Sequence, residues 1–176
     1  MPEPNSPDFR AWLAEAMERH ERSLVVYATR LLGGDEERAR DVVQDTFLRL
    51  CKERPEDVSG HLTEWLFTVT RHRALDVRRK ESRMTDLTED TARAQGSDPA
   101  ATTAAIDLVD EAEGVYARMK SLPPKQQEVL RLKFQNGLSY KEIAGVMNET
   151  VGNVGWLIHT GIKNLRGKLA GEGVEA

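Results

Sequence analysis

The chain has 176 residues, 39% hydrophobic and 31% charged, with a formal net charge of −4, which is material for one medium domain or two small ones and not for a large core. It contains no run of roughly eighteen apolar residues, and its N-terminus, MPEPNSPDFR, has no apolar signal region, so no membrane span and a cytoplasmic location are expected. A lone cysteine, Cys51, excludes an internal disulfide framework, and the four histidines are scattered away from zinc spacing, so neither metal nor cofactor is expected.

Taken in chain order, the apolar residues recur at helical spacing, and no alternating β-branched run marks a strand. The expected fold class is all-α: two small helical domains joined by a flexible acidic linker, the second domain a helix-turn-helix. Helices are predicted near 8–32, 35–53 and 60–82, within a first domain at 8–84. Gly33 and Gly34 break the first helix and Asp35 can cap the second. Pro55 and Gly60 bracket the next break, after which Leu62, Leu66, Val69 and Val77 fall to one side. The linker, 85–106, reads TDLTEDTARAQGSDPAATTAA over 85–105, with few large apolar residues to offset the cost of ordering, so it is expected to be disordered in the free protein. The second domain, 107–170, is predicted to hold helices near 107–120, 124–136, 140–147 and 151–169. Pro123 and Pro124 suit the start of the second of these, and Gly137 its end. Ser139 and Glu142 make a capping box for the third, Asn148 and Glu149 a short turn, and Thr150 a cap for the last.

Charge is partitioned along these elements. Arg71 to Arg83 holds six Arg/Lys against Asp76 and Glu81, Asp86 to Glu113 holds eight acids and one base, and Lys120 to Lys168 holds eight bases and three acids. Two basic segments therefore flank an acidic one, and the negative mean conceals a pattern compatible with nucleic acid.

Three constellations carry functional content. In ERARDVVQDTFLRL, Ala39, Val42, Val43, Thr46, Phe47 and Leu50 form a core stripe, and Asp41, Gln44, Asp45 and Leu48 form a second stripe. On the residues alone, the second stripe is more simply a solvated face with one exposed leucine than a protein-docking face. In WLFTVTRHRALDVRRKESR, Trp65 and Phe67 precede a dense basic run. Cations neutralise phosphates and aromatic faces stack unpaired bases, but a buried tryptophan before a solvated basic helix end fits equally well. In LSYKEIAGVMNETVGNVGWLIHTGIKNL, a short capped helix, a turn and a longer helix form a helix-turn-helix pattern. Leu138, Ile143, Ala144 and Val146 suit the packed first helix. On the second, Val151, Val154, Ile158, Ile162, Leu165 and Leu169 form an apolar side, opposite Asn153, Trp156, His159, Thr160 and Lys163, the geometry of a recognition helix in a major groove. The chain shows no phosphate loop after a strand and no nucleophile motif, so no catalytic residue is expected. Cys51 reads as a packing residue.

Together, and in this order, the three segments resemble the extracytoplasmic-function sigma factors of bacterial RNA polymerase. ARDVVQDTFLRL resembles the polymerase-docking helix of that family, WLFTVTRHRALDVRRK the helix that melts and reads the minus-ten element, and LPPKQQEVLRLKFQNGLSYKEIAGVMNETVGNV the start of the minus-thirty-five-reading domain. The resemblance implies a sigma factor that binds core RNA polymerase and directs promoter-specific transcription initiation, without enzymatic chemistry, with promoter DNA and an anti-sigma protein as further partners. It assigns Asp41, Gln44 and Asp45 to polymerase docking, reversing the reading made from the second stripe alone, and Leu48 of the same stripe is expected to dock with them. It places Arg71, His72, Arg78, Arg79 and Lys80 along promoter DNA near the melted bases, where a base extruded from the stack would be read.

Two departures from the family pattern stand out. His72 stands where an asparagine is common, and Gly155, Trp156, Leu157 and Ile158 follow Val154 where basic residues are common. A stand-alone helix-turn-helix regulator would explain the C-terminal segment but not the docking helix. A sigma-like interaction adaptor would explain the weakened recognition helix.

Overall fold

A computed structural model describes residues 6–87 and 118–171 of the chain, with side chains described for 6–83 and 118–167. The chain divides into two compact units, residues 1–100 and 101–176. All regular structure among the described residues is helical. The expected disorder of the linker and most of the helix expected near 107–120 lie outside the described residues.

The first unit packs three long helices. Helix α1, Pro7–Leu31, opens on Ser6, whose Oγ accepts from the Phe9 amide at 3.2 Å, with Pro7 at the first helical position. It ends in a turn through Gly33 (φ 69°) and Gly34 (φ 100°), a conformation that residues with a Cβ rarely adopt. Helix α2, Glu36–Leu50, starts from Asp35, whose Oδ1 accepts from the Arg38 amide at 3.0 Å. A short helix α3, Pro55–Val58, and a 3₁₀ turn, Ser59–His61, occupy the segment that the sequence marks only as a break. Proline there starts a turn, because the amide it lacks would have no partner at a helix start. Helix α4, Leu62–Leu87, runs past the expected end at 82.

The core of this unit is Phe9, Ala16, Leu24, Tyr27 and Ala28 from α1, the whole predicted stripe of α2, and Leu66, Phe67, Thr70 and Ala74 from α4. The α4 stripe is rotated from the expected one: Leu66 is buried, but Leu62, Val69 and Val77 are only half-buried. The Phe67 ring lies 5.2 Å from that of Tyr27, and the buried hydroxyls of Thr46 and Thr70 meet at 3.1 Å across α2 and α4. That polar pair is satisfied, since Thr46 Oγ1 also donates to the Val42 carbonyl at 2.9 Å.

The second unit holds α5, Pro124–Phe134, α6, Tyr140–Met147, and α7, Val151–Gly171. Helix α6 has the complete capping box, with Glu142 N donating to Ser139 Oγ at 3.2 Å and Ser139 N to Glu142 Oε2 at 2.7 Å. Asn148 takes the left-handed conformation (φ 53°) between α6 and α7, and Thr150 Oγ1 caps α7 by accepting from Asn153 N at 3.1 Å. Val129, Leu130 and Leu132 of α5, Leu138, Ile143, Ala144, Val146 and Met147 around α6, and Val154, Leu157 and Ile158 of α7 form the core. Gly161 is buried against α5: a Cβ there would sit 3.1 Å from Leu130 Cδ1.

Candidate docking and nucleic-acid interfaces

Because the core stripe of α2 is buried in full, its second stripe points outward. Asp41 and Gln44 are exposed, Leu48 is 55% exposed, and Asp45 is partly covered. Asp45 differs from its neighbours: its Oδ2 accepts from Nη2 of Arg73 on α4. The Arg73 Nε is buried without a hydrogen-bond partner among the described residues, and the guanidinium meets Asp45 through Nη2. Sequence reading missed Arg73 as a member of this site. Its spacing hides it among neighbouring cations, and only packing of α4 on α2 brings it to the carboxylate.

On α4 the five predicted DNA-contacting residues do not share one line. At the helical angle, His72 and Arg79 lie on the side away from the core stripe, Arg71 and Arg78 on one flank, and Lys80 on the other. His72, Arg78, Arg79 and Lys80 are exposed, whereas Arg71 is half-buried and already engaged within the protein. Arg83 falls beside His72 and Arg79 and is exposed. Glu81 pairs with Arg38 of α2, and Asp76 lies 3.5 Å from Arg79, so both acids of the run sit beside cations. What remains is a broad basic surface, spread as backbone neutralisation requires. The aromatic reading of this helix needs correction at Phe67: it is 1% exposed and packs on Tyr27, so it cannot stack a base. Trp65 is half-buried.

On α7, Trp156, His159 and Lys163 are exposed on the side away from the core, as predicted. Thr160 and Asn153 lie at its edges and are half-buried, and Asn153 Nδ2 donates to Glu149 Oε2 at 2.7 Å. Arg166, which sequence reading did not single out, continues the exposed line. The apolar side is corrected at two positions. Leu157 is buried and Val151 is 49% exposed, because the core side of the helix turns through Leu157 and Gly161, and Val151 lies at the solvent end of the first turn. Among the described residues, no group of His, Cys, Asp and Glu could hold a metal ion, and no helix is long and apolar enough to cross a membrane.

Known proteins match this arrangement in both units. A Sigma-70 region 2 family profile matches residues 16–84 and a Sigma-70 region 4 profile residues 112–165. The chain is 33% identical over 141 residues to the ECF RNA polymerase sigma factor SigE of Mycolicibacterium smegmatis, a match covering 79% of this chain and 54% of that protein, so it spans about half the length of that relative. It is 30% identical over 154 residues to the ECF RNA polymerase sigma factor SigL of Mycobacterium tuberculosis, covering 85% of this chain and 84% of that one. The fold is also that of the sigma factor RpoE of Bartonella quintana, solved in complex with the anti-sigma factor NepR, with a TM-score of 0.69 and 22% identity over 94% of this chain and 98% of that one. With segments matching region 2 and region 4 in family order, the chain belongs to the extracytoplasmic-function sigma factors of RNA polymerase.

Proposed function

We propose that this chain binds core RNA polymerase through the outward stripe of α2 and directs promoter-specific transcription initiation through α4 and α7. The observation that carries this reading is the placement of two outward faces on one three-helix unit. Asp41, Gln44 and Leu48 stand clear of a core stripe that is buried in full, and the cations of α4 are joined to that face through Asp45 and Arg73. The family is not an enzymatic one, and the role assigned here is positional: one surface holds the polymerase and others hold the promoter. We assign 8–84 to polymerase docking and the minus-ten element, 85–106 to a linker, and 107–170 to the minus-thirty-five element. Polymerase and promoter place the protein at work in the cytoplasm, and a separate anti-sigma protein is its expected regulator.

The test is reconstitution with core polymerase on promoter templates. Asp41→Arg combined with Leu48→Asp should abolish co-purification with core polymerase while leaving helicity unchanged, since both side chains are exposed. Asp45→Arg is a poorer probe, because it sets a second cation beside Arg73 and mixes stability with docking. Tight binding by the Asp41/Leu48 double variant would remove this face as the docking site. DNA binding without polymerase would favour a stand-alone regulator, and polymerase binding without initiation an adaptor.

A further inference from the structure

Helix α7 carries its charge in one half only. From Thr150 through Ile162 it has no Lys, Arg, Asp or Glu, and from Lys163 to Gly171 its charged residues are Lys163, Arg166 and Lys168. A helix-turn-helix places the N-terminal residues of its second helix against base edges. The half that enters the groove is therefore the uncharged half, and the cations follow it as phosphate anchors.

On the first two turns of α7, Val151 to Ile158, the exposed residues are few: Val151 is 49% and Trp156 60% exposed, and between them Gly152 has nothing within 4 Å of the place a Cβ would occupy; His159 follows on the next turn and is also exposed. The amide most suited to a base edge is already committed, since Asn153 donates to Glu149 at 2.7 Å, and Glu149 in turn accepts from Lys125 Nζ at 2.6 Å. Each base presents a different partner in the major groove. Guanine offers two acceptors that an Arg or Lys side chain reads, adenine an acceptor and donor that Asn or Gln reads, and thymine an apolar methyl group. Here Arg and Lys are absent, the amide is tied down and the imidazole of His159 comes only on the third turn, which leaves an apolar edge on the first two turns.

We propose that α7 reads thymine 5-methyl groups in the upstream promoter element, with Val151 and Trp156 as the specificity-determining side chains. Lys163 and Arg166 on α7 and Lys141 on α6, all exposed, anchor the flanking phosphates. This rests on the function proposed above. The lack of any acid from Thr150 to Gly171 makes the face complementary to a polyanion and not to a basic protein partner.

The experiment uses the full chain reconstituted with core polymerase and a promoter library randomised across the upstream element. Templates that initiate best are resynthesised with deoxyuridine in place of thymidine, which removes only the methyl group. Selected templates should be rich in thymine, and initiation should fall about four-fold for each methyl in contact, the loss expected from exposing a buried methyl-sized group. Trp156→Ala should initiate less well on thymidine templates and show a smaller deoxyuridine effect. Trp156→Arg should shift selection toward guanine. Circular dichroism of both variants should match the parent, because the indole is exposed. Upstream selection that is lost in Trp156→Ala but indifferent to deoxyuridine overturns methyl readout while leaving upstream recognition standing. No upstream selection, with Trp156→Ala equal to the parent on every template, overturns upstream reading by α7 and methyl readout with it. Loss of polymerase binding in Trp156→Ala makes this face a protein contact and also overturns the proposal.

Discussion

Two glycines in α7, Gly152 and Gly161, offer the same mutation in different surroundings. Glycine in a helix interior is about 1 kcal/mol less favourable than alanine, so propensity alone predicts that Gly161→Ala stabilises the second unit by that much, and Gly152→Ala, in the first turn of α7, by no more than Gly161→Ala. Packing separates them. The new Cβ at 152 meets open space, whereas at 161 it would lie 3.1 Å from Leu130 Cδ1, 3.4 Å from Leu130 Cγ and 3.6 Å from Gln126 Cβ. Leu130 is 2% exposed, so it must shift within a filled core, and overpacking of this kind costs about 1–3 kcal/mol. Gly152→Ala should therefore stabilise by up to about 1 kcal/mol, and Gly161→Ala should be neutral to about 2 kcal/mol destabilising. For a unit of this size each kcal/mol moves the midpoint by about 4–8 °C. Fluorotryptophan labelling with ¹⁹F NMR assigns the transition to a unit, because Trp156 lies in the second and Trp12 and Trp65 in the first. Equal shifts of the same sign for both variants would refute the claim that Gly161 is kept for the approach of α7 to α5.

Other consequences can be checked alongside. In a double-mutant cycle of Asp45→Asn and Arg73→Gln on core-polymerase affinity, the single effects should fail to add, with a coupling of about 0.2–1 kcal/mol for a partly exposed pair; full additivity would mean the pair does not shape the docking face. Ser139→Ala should cost the second unit about 1 kcal/mol through loss of its cap, measured by thermal unfolding. Hydrogen bonds from the Ser139 side chain and backbone hold the Glu142 carboxyl below its ordinary pKa. The stabilisation it brings is present above the ordinary carboxylate range and fades as pH falls through the lowered value, a dependence that should flatten in Ser139→Ala. Phe67→Ala should cost the first unit about 3–5 kcal/mol, since the ring is core and not a base platform; retention of the parent melting temperature would reverse that assignment. Lys163→Ala should reduce the slope of log affinity against log salt on upstream duplex by about 1.

Periodicity and local capping were enough to read much of this protein from its sequence. The core stripe of α2 is legible because one face of an amphipathic helix must be apolar along its length, and all six residues of that stripe are buried. Ser139 with Glu142, Asp35 and Thr150 are legible because a cap is made within a few residues of chain. The family order of three segments was likewise a property of the chain itself. Features that depend on which helix faces which were not legible. Phe67 is equally compatible with a base platform and a core until Tyr27 of α1 is set against it. Val151 and Leu157 exchange places relative to expectation because the buried side of α7 is defined by α5, through Gly161 and Leu130, and not by the hydropathy of α7 alone. Arg73 is one cation among several until α4 packs on α2 and delivers it to Asp45. A residue's neighbours along the chain determine its helix and its cap, but its function depends on neighbours that only the packing of separate helices supplies.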